Sequence, residues 1–495
     1  MSAESNQDMD EKHIVAIDLG TSKFALAIAR VSGEDIQIVY YREVPSAGIR
    51  YSYIFNPTQV VSALKPAIET AEKELDIRIT QAVVGMPRYS VRQETNQGSI
   101  KLNPDECITA DDINYLKDMA QQEYPLDDPK EVLFGAVAQS FSTSEDSQLV
   151  EKDIIGMASD KIEGNFKIFI GNKRYLQNID LVFNNMKIAV AGKYFNPDTT
   201  AKAVLTNAEM ETGVALIDFG AGVTSVSVYS GGIMRHYAAI PFGGKSITND
   251  IDTECKIFSE TLAENIKLAH GICMPEKLQN MNEKILRINI GTTAQYKDLP
   301  VKYLSEVITC RVQEIMEAIL YEIQKSGFAD RLLSGVVLTG GGANLANCGN
   351  FITELSGYSV RIGYPKPMFS GGGCIGVHEA EAATVIGMIL AAAKDSCGDC
   401  SVPEDGKTKT TVVVEEAGGS GNAPEGTEAG AETHSGTLFP DEKVPQETGR
   451  NRHHETPQPK KQRQAVSWKK KIQKAVDKFT GTLYNMNEEM NNEEI

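Results

Sequence analysis

One short pattern occurs twice in this chain: an apolar run, an aspartate, a glycine-bearing turn, a hydroxyl residue and a second apolar run. The first copy reads Ile14-Val15-Ala16-Ile17-Asp18-Leu19-Gly20-Thr21-Ser22-Lys23-Phe24-Ala25-Leu26-Ala27-Ile28. The second reads Ala215-Leu216-Ile217-Asp218-Phe219-Gly220-Ala221-Gly222-Val223-Thr224-Ser225-Val226-Ser227-Val228-Tyr229. Each predicts a buried strand, a tight turn and a returning strand. Glycine in the turn would take left-handed angles and bring amide N–H groups close to an anion, so each hairpin is suited to phosphate. Asp18 and Asp218 would face the metal ion that travels with the phosphates. A single hairpin of this kind says little, because any tight β-turn favours these residues. Two in the same order call for a fold of two similar halves, each giving one hairpin to a cleft between them.

Two further stretches fit the same cleft. Gly335-Val336-Val337-Leu338-Thr339-Gly340-Gly341-Gly342-Ala343-Asn344-Leu345 is a short buried strand running into a glycine turn and then a helix, which lets backbone pass close to a flat ring or ribose. In Ser259–Leu268, Glu264 and Lys267 lie three apart and project from one helix face. That spacing would equally serve an ordinary surface ion pair, worth little.

At these four elements the chain resembles the actin, sugar-kinase and heat-shock-chaperone superfamily, and within it the FtsA family of bacterial cell-division proteins. The resemblance runs from about Ile14 to Leu390 and resumes at the C-terminal end. It implies an α/β, two-lobed actin-like ATPase fold with duplicated ribonuclease-H-like cores and an inserted small α+β subdomain. It also implies Mg·ATP, with Asp18 and Asp218 organising Mg²⁺ through water. The turns Gly20, Thr21, Ser22, Lys23 and Gly220, Gly222, Val223, Thr224 would hold the phosphates. Gly340, Gly341 and Gly342 would border the adenosine, with Glu264 and Lys267 reaching ribose and adenine.

The expected organisation is a disordered N-terminus (1–12), a first lobe (13–86 and 172–212) interrupted by the inserted subdomain (87–171), and a second lobe core (213–246 and 329–393). An outer subdomain (247–328), a disordered linker (394–464), an amphipathic helix (465–484) and an acidic tail (485–495) complete it. The 495 residues, 41% of them hydrophobic, suffice for two core-forming lobes with appendages. A formal charge of −18 argues against general nucleic-acid binding, which needs a basic footprint. Met1–Lys12 lacks the apolar core of a secretory signal, and no run is long enough to span a bilayer, so a cytosolic protein is expected. The eight cysteines are scattered, as in reduced structural thiols. Cys397-Gly398-Asp399-Cys400 has no second pair or histidine at zinc spacing, which favours a structural role over metal or redox chemistry.

Along the chain, Asn56–Leu75 reads as a helix with Pro57 at its start, and Ile79–Met86 as a strand. In the inserted segment, Tyr89–Thr95 reads as an alternating strand, Thr109 and Asp112 stand at N-cap spacing for a helix through Ile113–Tyr124, and Glu131–Ser142 and Gly164–Ile170 are strands. This segment resembles the subdomain that distinguishes the FtsA family from actin and MreB. Many family members have Glu-Pro where this chain has Asn196-Pro197. A carboxylate could activate an attacking water, whereas an amide can only orient it, so slow hydrolysis and a structural or switching nucleotide are expected. Gly243-Gly244-Lys245-Ser246 lacks the upstream glycine of a P-loop and reads as a hinge into a helix.

The outer subdomain would carry a long helix through Leu304, Val307, Ile308, Arg311, Ile315 and Ile319. The resemblance makes this subdomain the receiver of the C-terminal peptide of the tubulin-like protein FtsZ, with Arg311 and Glu314 as contacts; the plainer alternative is a solvated pair. Glu379–Leu390, dense in alanine and glycine, permits a close lobe crossing. After the Gly-, Thr- and Glu-rich linker, Trp468, Ile472, Val476, Phe479 and Leu483 recur at three- and four-residue steps, with Lys469, Lys470 and Lys471 beside them. This is the pattern of a helix lying in an anionic membrane interface, with a calmodulin-type target helix or a packed helix as alternatives. The expected protein binds ATP, forms head-to-tail filaments on the inner membrane face at the division site, tethers the FtsZ ring and recruits other division proteins. The alternative is a small-metabolite kinase of the same superfamily; a DnaK-type chaperone is disfavoured, since no β-rich substrate domain follows the lobes.

Overall fold

The computed structural model describes residues 11–103, 105–278, 284–289, 296–395 and 397–403, and in it the doubled sequence pattern becomes a doubled sheet. The first sheet runs in the order Asp35–Pro45, Lys23–Ser32, Lys12–Leu19, Gln81–Gly85, Ala189–Tyr194. The second runs Ile233–Ile240, Thr224–Ser230, Val214–Phe219, Val336–Thr339, Val360–Ile362. In both, three antiparallel strands are joined by two parallel ones. Leu19 pairs with Phe24 and Phe219 with Thr224, so Asp18 and Asp218 occupy the same place, one residue before each hairpin tip. That place is the carboxyl end of a central strand, where parallel sheets receive ligands. Val214–Phe219 is buried throughout, as a strand covered on both faces must be.

The helix Pro57–Leu75 covers one face of the first sheet with Val60, Leu64, Ala67, Ile68 and Ala71. It begins where the sequence indicates, with Asn56 accepting the Gln59 amide at 3.2 Å and Pro57 in the first turn. The opposite face is covered by Ala383–Lys394, whose Val385, Ile386, Met388, Ile389 and Ala392 join Ile14, Ala16 and Val83 in one core. This corrects the assignment of 329–393 wholly to the second lobe: the last helix follows second-lobe sequence but buries its apolar surface on the first. It crosses Asn196–Val204 at Gly387, where an added Cβ would lie 2.1 Å from the Thr199 carbonyl oxygen. Alanine and glycine there serve the close crossing expected of them.

The inserted segment forms a three-stranded antiparallel sheet in the order Arg92–Lys101, Lys161–Asn172, Glu131–Ser142, with Ala110–Gln122 packed on it. Thr109 and Asp112 form a reciprocal capping box: Thr109 N–H donates to Asp112 Oδ2 at 2.8 Å and Asp112 N–H to Thr109 Oγ1 at 3.2 Å. The strand expected from Tyr89 starts at Arg92, because Ser90 takes a left-handed conformation (φ +63°) that bends the chain first.

The outer subdomain holds Gly244–Glu254, Glu260–His270 and the long helix Val301–Lys325, which buries Leu304, Ile308, Val312, Ile315, Ile319 and Ile323. No helix among the described residues is long and apolar enough to cross a membrane. The linker was expected to begin at Lys394, yet Ser401–Pro403 pairs with Ile77–Ile79 and Cys400 is fully buried in the first-lobe core. That short strand adds its backbone to an edge, a tertiary event that composition does not register. The rest of the linker, the helix 465–484 and the acidic tail lie outside the described residues.

Candidate functional site

Both hairpin turns are closed by the same local geometry. An added Cβ at Gly20 would lie 2.6 Å from the Lys23 carbonyl oxygen, and one at Gly220 would lie 2.7 Å from that of Val223. The Gly220 N–H donates to that Val223 oxygen at 3.0 Å. Neither glycine, nor Gly222, has a positive φ. The expectation of left-handed angles is therefore corrected: these glycines are required for space, and only Gly340 (φ +82°) needs the left-handed region. At Gly340 a Cβ would also meet Asp218 Oδ1 at 2.6 Å.

The two turns and the Gly340–Gly342 turn open on one cavity of about 460 Å³, within the ~300–1,000 Å³ typical of small-ligand sites. Asp18, Gly20, Thr21, Ser22 and Lys23 line it from the first lobe, and Asp218, Gly220, Gly222, Val223, Glu264, Lys267 and Gly340–Gly342 from the second. Thr224 does not line it; its hydroxyl is buried and donates to the Phe242 carbonyl at 2.8 Å. Gly243-Gly244-Lys245-Ser246 opens the helix Gly244–Glu254, and its amides serve the second turn. Gly244 N–H donates to Gly220 O at 3.0 Å and Lys245 N–H to Ala221 O at 2.8 Å.

The carboxylates face a cation that the sequence reading did not single out. Arg88 Nη1 lies 2.8 Å from Asp218 Oδ2, and Arg88 Nη2 donates to Thr384 Oγ1 at 2.7 Å. Burial raises the Asp18 pKa and the Asp218 charge adds to that, against the pull of Arg88 and then Lys23. Lys23 pairs with Glu43 at 2.6 Å and with Glu381, so its head is committed to carboxylates other than Asp18. Glu381 in turn accepts from Asn344 Nδ2 at 3.1 Å. A signal for Arg88 exists: it comes just after the strand Gln81–Gly85, which runs parallel to the Asp18 strand and ends at the same edge.

At the other end, Lys267 Nζ donates to Glu264 Oε2 at 2.8 Å, Thr248 Oγ1 at 2.9 Å and Gly244 O at 2.9 Å. Burial lowers the Lys267 pKa, and Glu264 works against it. Glu264 and Lys267 are thus a cavity-wall pair tied to the helix Gly244–Glu254. Leu268, Ile247 and Leu345 supply apolar wall beside them.

Three expected residues stand elsewhere. Asn196 is 3% exposed and does not line the cavity; its amide lies so close to Gly85 that a Cβ there would be 2.1 Å from Asn196 Oδ1. Arg311 and Glu314 lie on the outer subdomain and pair at 2.9 Å, while Arg311 Nη2 also donates to Asp250 Oδ1 at 3.0 Å. The Asp250 bond raises the Arg311 pKa despite partial burial. Arg311 and Asp250 border a second hollow of about 420 Å³ that also touches Thr21 and Gly222. Trp468, Lys469–Lys471, Ile472, Val476, Phe479 and Leu483 lie outside the described residues.

Residues 215–387 match the family model described as cell division protein FtsA. The cell division protein FtsA of Neisseria meningitidis serogroup B is 31% identical over 84% of this chain and 97% of its own length. That of Borreliella burgdorferi is 31% identical over 72% of this chain and 86% of its own. Among solved structures, the PilM-PilN type IV pilus biogenesis complex shares the fold at a TM-score of 0.54 and 15% identity, covering 76% of this chain and 98% of that one. Doubled lobes of actin-like topology, the inserted subdomain and a relative matched over nearly its whole length lead to one assignment: the chain belongs to the FtsA family of cell division proteins.

Proposed function

We propose that this protein binds ATP with Mg²⁺ in the cavity between the lobes, assembles into filaments on the inner membrane face at the division site, and ties the FtsZ ring to the membrane. The observation that carries the nucleotide part is the convergence of two matched hairpin turns and a glycine turn on one cavity bearing a carboxylate from each lobe. The residues fit the ligand. Mg²⁺ keeps several waters and takes one or two carboxylates with substrate phosphates, and no group of three or more His, Cys, Asp or Glu among the described residues could hold a metal alone. The turns leave no room for a Cβ at Gly20, Gly220 or Gly222, so backbone lines the place of the phosphates. Bound Mg·ATP supplies a phosphoanhydride and its counter-charge.

Asp18 and Asp218 hold the cation through water, while Gly20–Lys23 and Gly220–Val223 hold the phosphates. Glu264, Lys267 and Gly340–Gly342 border ribose and base. Asn196 cannot accept a proton and faces Gly85, which supports slow turnover and a nucleotide that acts as a structural and switching ligand. Arg311 and Glu314 contact the FtsZ C-terminal peptide. The helix carrying Trp468 and Lys469–Lys471 lies in an anionic leaflet, each lysine contributing about 1 kcal/mol. One such tail binds weakly, and many on a filament bind firmly. Other division proteins are recruited to that assembly.

Sedimentation with anionic vesicles, with and without ATP, tests this. The full chain is expected to co-sediment, more so with ATP, and a chain ending at Gln464 to remain in solution. Undiminished lipid binding by the shorter chain would overturn the anchor, and indifference to ATP the switch.

A further inference from the structure

Two carboxylates that approach each other in a cleft need a counter-ion, and the described residues provide one. Arg88 stands between the lobes: its N–H donates to Ser52 Oγ on the first-lobe side at 3.2 Å, and its carbonyl accepts from Tyr237 Oη of the second-lobe strand Ile233–Ile240 at 2.6 Å. Its guanidinium reaches Asp218 of the second lobe at 2.8 Å, with side-chain exposures of 12% and 9%, so the pair is sheltered from screening solvent. The second arm of the fork donates to Thr384 Oγ1, which meets Thr200 Oγ1 at 3.0 Å, so the head is braced on both sides. Lys23 cannot substitute, since Glu43 and Glu381 engage it.

We propose that Arg88 is an internal counter-ion that takes the place of the divalent cation at Asp218 when the cleft is empty, and that metal-bound nucleotide and the Arg88–Asp218 tie exclude each other. This rests on the nucleotide reading of the cleft. Asp218 Oδ2 accepts from Arg88 Nη1, and a cation held beside Asp218 would bring a second positive charge against that guanidinium. Arg88 is therefore a positioning residue: it lowers the affinity of the empty site for free metal and ties the lobes until nucleotide arrives. It also stands four residues before the inserted subdomain's first strand, Arg92–Lys101.

The coupling is measurable without any turnover. Nucleotide-free full-length protein and Arg88→Met are melted and titrated calorimetrically with MgCl₂ alone. The expected result is no response from the unaltered protein, and a raised melting temperature with detectable binding in the variant. ATP affinity is then measured with Mg²⁺ and with EDTA. The ratio of the two affinities is expected to grow about tenfold in the variant, because the cation no longer competes with an internal one. A purely structural role would weaken both affinities alike, and that result, with no response to Mg²⁺ alone, overturns the proposal. If neither protein binds ATP, the nucleotide reading fails while the Mg²⁺ titration still decides the role of Arg88. Arg88→Gln, which keeps a donor for Thr384, serves should the Met variant not fold.

Discussion

Thr21 and Gly222 meet where the lobes face each other: a methyl added to the glycine would lie 2.7 Å from Thr21 Cγ2 and 2.8 Å from Oγ1. Non-bonded carbons rest at about 3.5–4.0 Å, so Gly222→Ala must push one hairpin away from the other. Overpacking costs about 1–3 kcal/mol, and since the cleft can open more easily than a core can expand, the cost should appear in binding. Calorimetric ATP affinity is expected to fall about tenfold with little change in melting temperature. Thr21→Gly in the same chain removes the obstructing side chain and should restore part of the loss. A double variant no better than the single one would mean the contact does not govern closure.

Gly387→Ala sets two effects against each other. Alanine favours the helix by about 1 kcal/mol, but its Cβ would lie 2.1 Å from a backbone oxygen of Thr199, which has no rotamer to escape into. The clash should win, separating the helices Asn196–Val204 and Ala383–Lys394. Thermal unfolding is expected several degrees lower; a variant as stable as the parent would show that the crossing is looser than its geometry.

Whatever depended on neighbouring residues was legible in the sequence. Thr109 with Asp112, and Asn56 with Pro57, encode helix starts within one turn, and the repeat of strand, aspartate and glycine encodes two sheets of one topology. What escaped depends on residues far apart in the chain. Arg88 carries no local mark of its partner Asp218, and Asn196 stands at a plausible spacing but packs against Gly85. The turn glycines were legible as necessary, though for the wrong reason: crowding by Lys23 and Val223 carbonyls is invisible until the hairpins close.

Glu209 links the helix Asn207–Thr212 to Arg361 by two hydrogen bonds, of 2.7 and 2.8 Å. Chiefly through Arg361, its pKa falls from 4.5 to about 2. A depressed carboxylate stabilises the fold above its unfolded pKa and loses that contribution as pH falls through the folded one. Glu209→Gln, which keeps a capping side chain for Thr206, should therefore melt lower than the parent at neutral pH, and the difference should shrink between pH 4.5 and about 2. Arg361 is 40% exposed, so screening limits the effect to about 1 kcal/mol. A difference that stays constant across this range would assign the effect to packing.

Arg311 is held by Asp250 and Glu314 in the same cluster. If Arg311 receives an acidic peptide, Asp250 is its internal competitor, and the two substitutions should act in opposite directions. Arg311→Ala is expected to weaken binding of an FtsZ C-terminal peptide by about tenfold, as for a partly exposed charge contact, and Asp250→Asn to strengthen it a few-fold. Fluorescence anisotropy with a labelled peptide reads both. Weakening by both would mean that Asp250 positions Arg311 and does not mask it.

Trp468 is the only tryptophan of the chain, so tryptophan emission, excited selectively over that of the 17 tyrosines, reports on the C-terminal segment alone. A tryptophan entering the acyl boundary shifts its emission to shorter wavelength, and adding anionic vesicles should produce that shift while neutral vesicles produce little. Salt separates the two contributions. From 0.1 M to 1 M the screening length falls from about 10 Å to about 3 Å, which removes most of the attraction of Lys469, Lys470 and Lys471 but leaves apolar burial in place. Binding should therefore weaken steeply with salt in the monomer and much less once ATP has gathered many tails into one assembly, because avidity multiplies the residual apolar term. Equal salt dependence with and without nucleotide would mean that assembly adds no tails to the contact, and each protomer would then have to hold the membrane by itself.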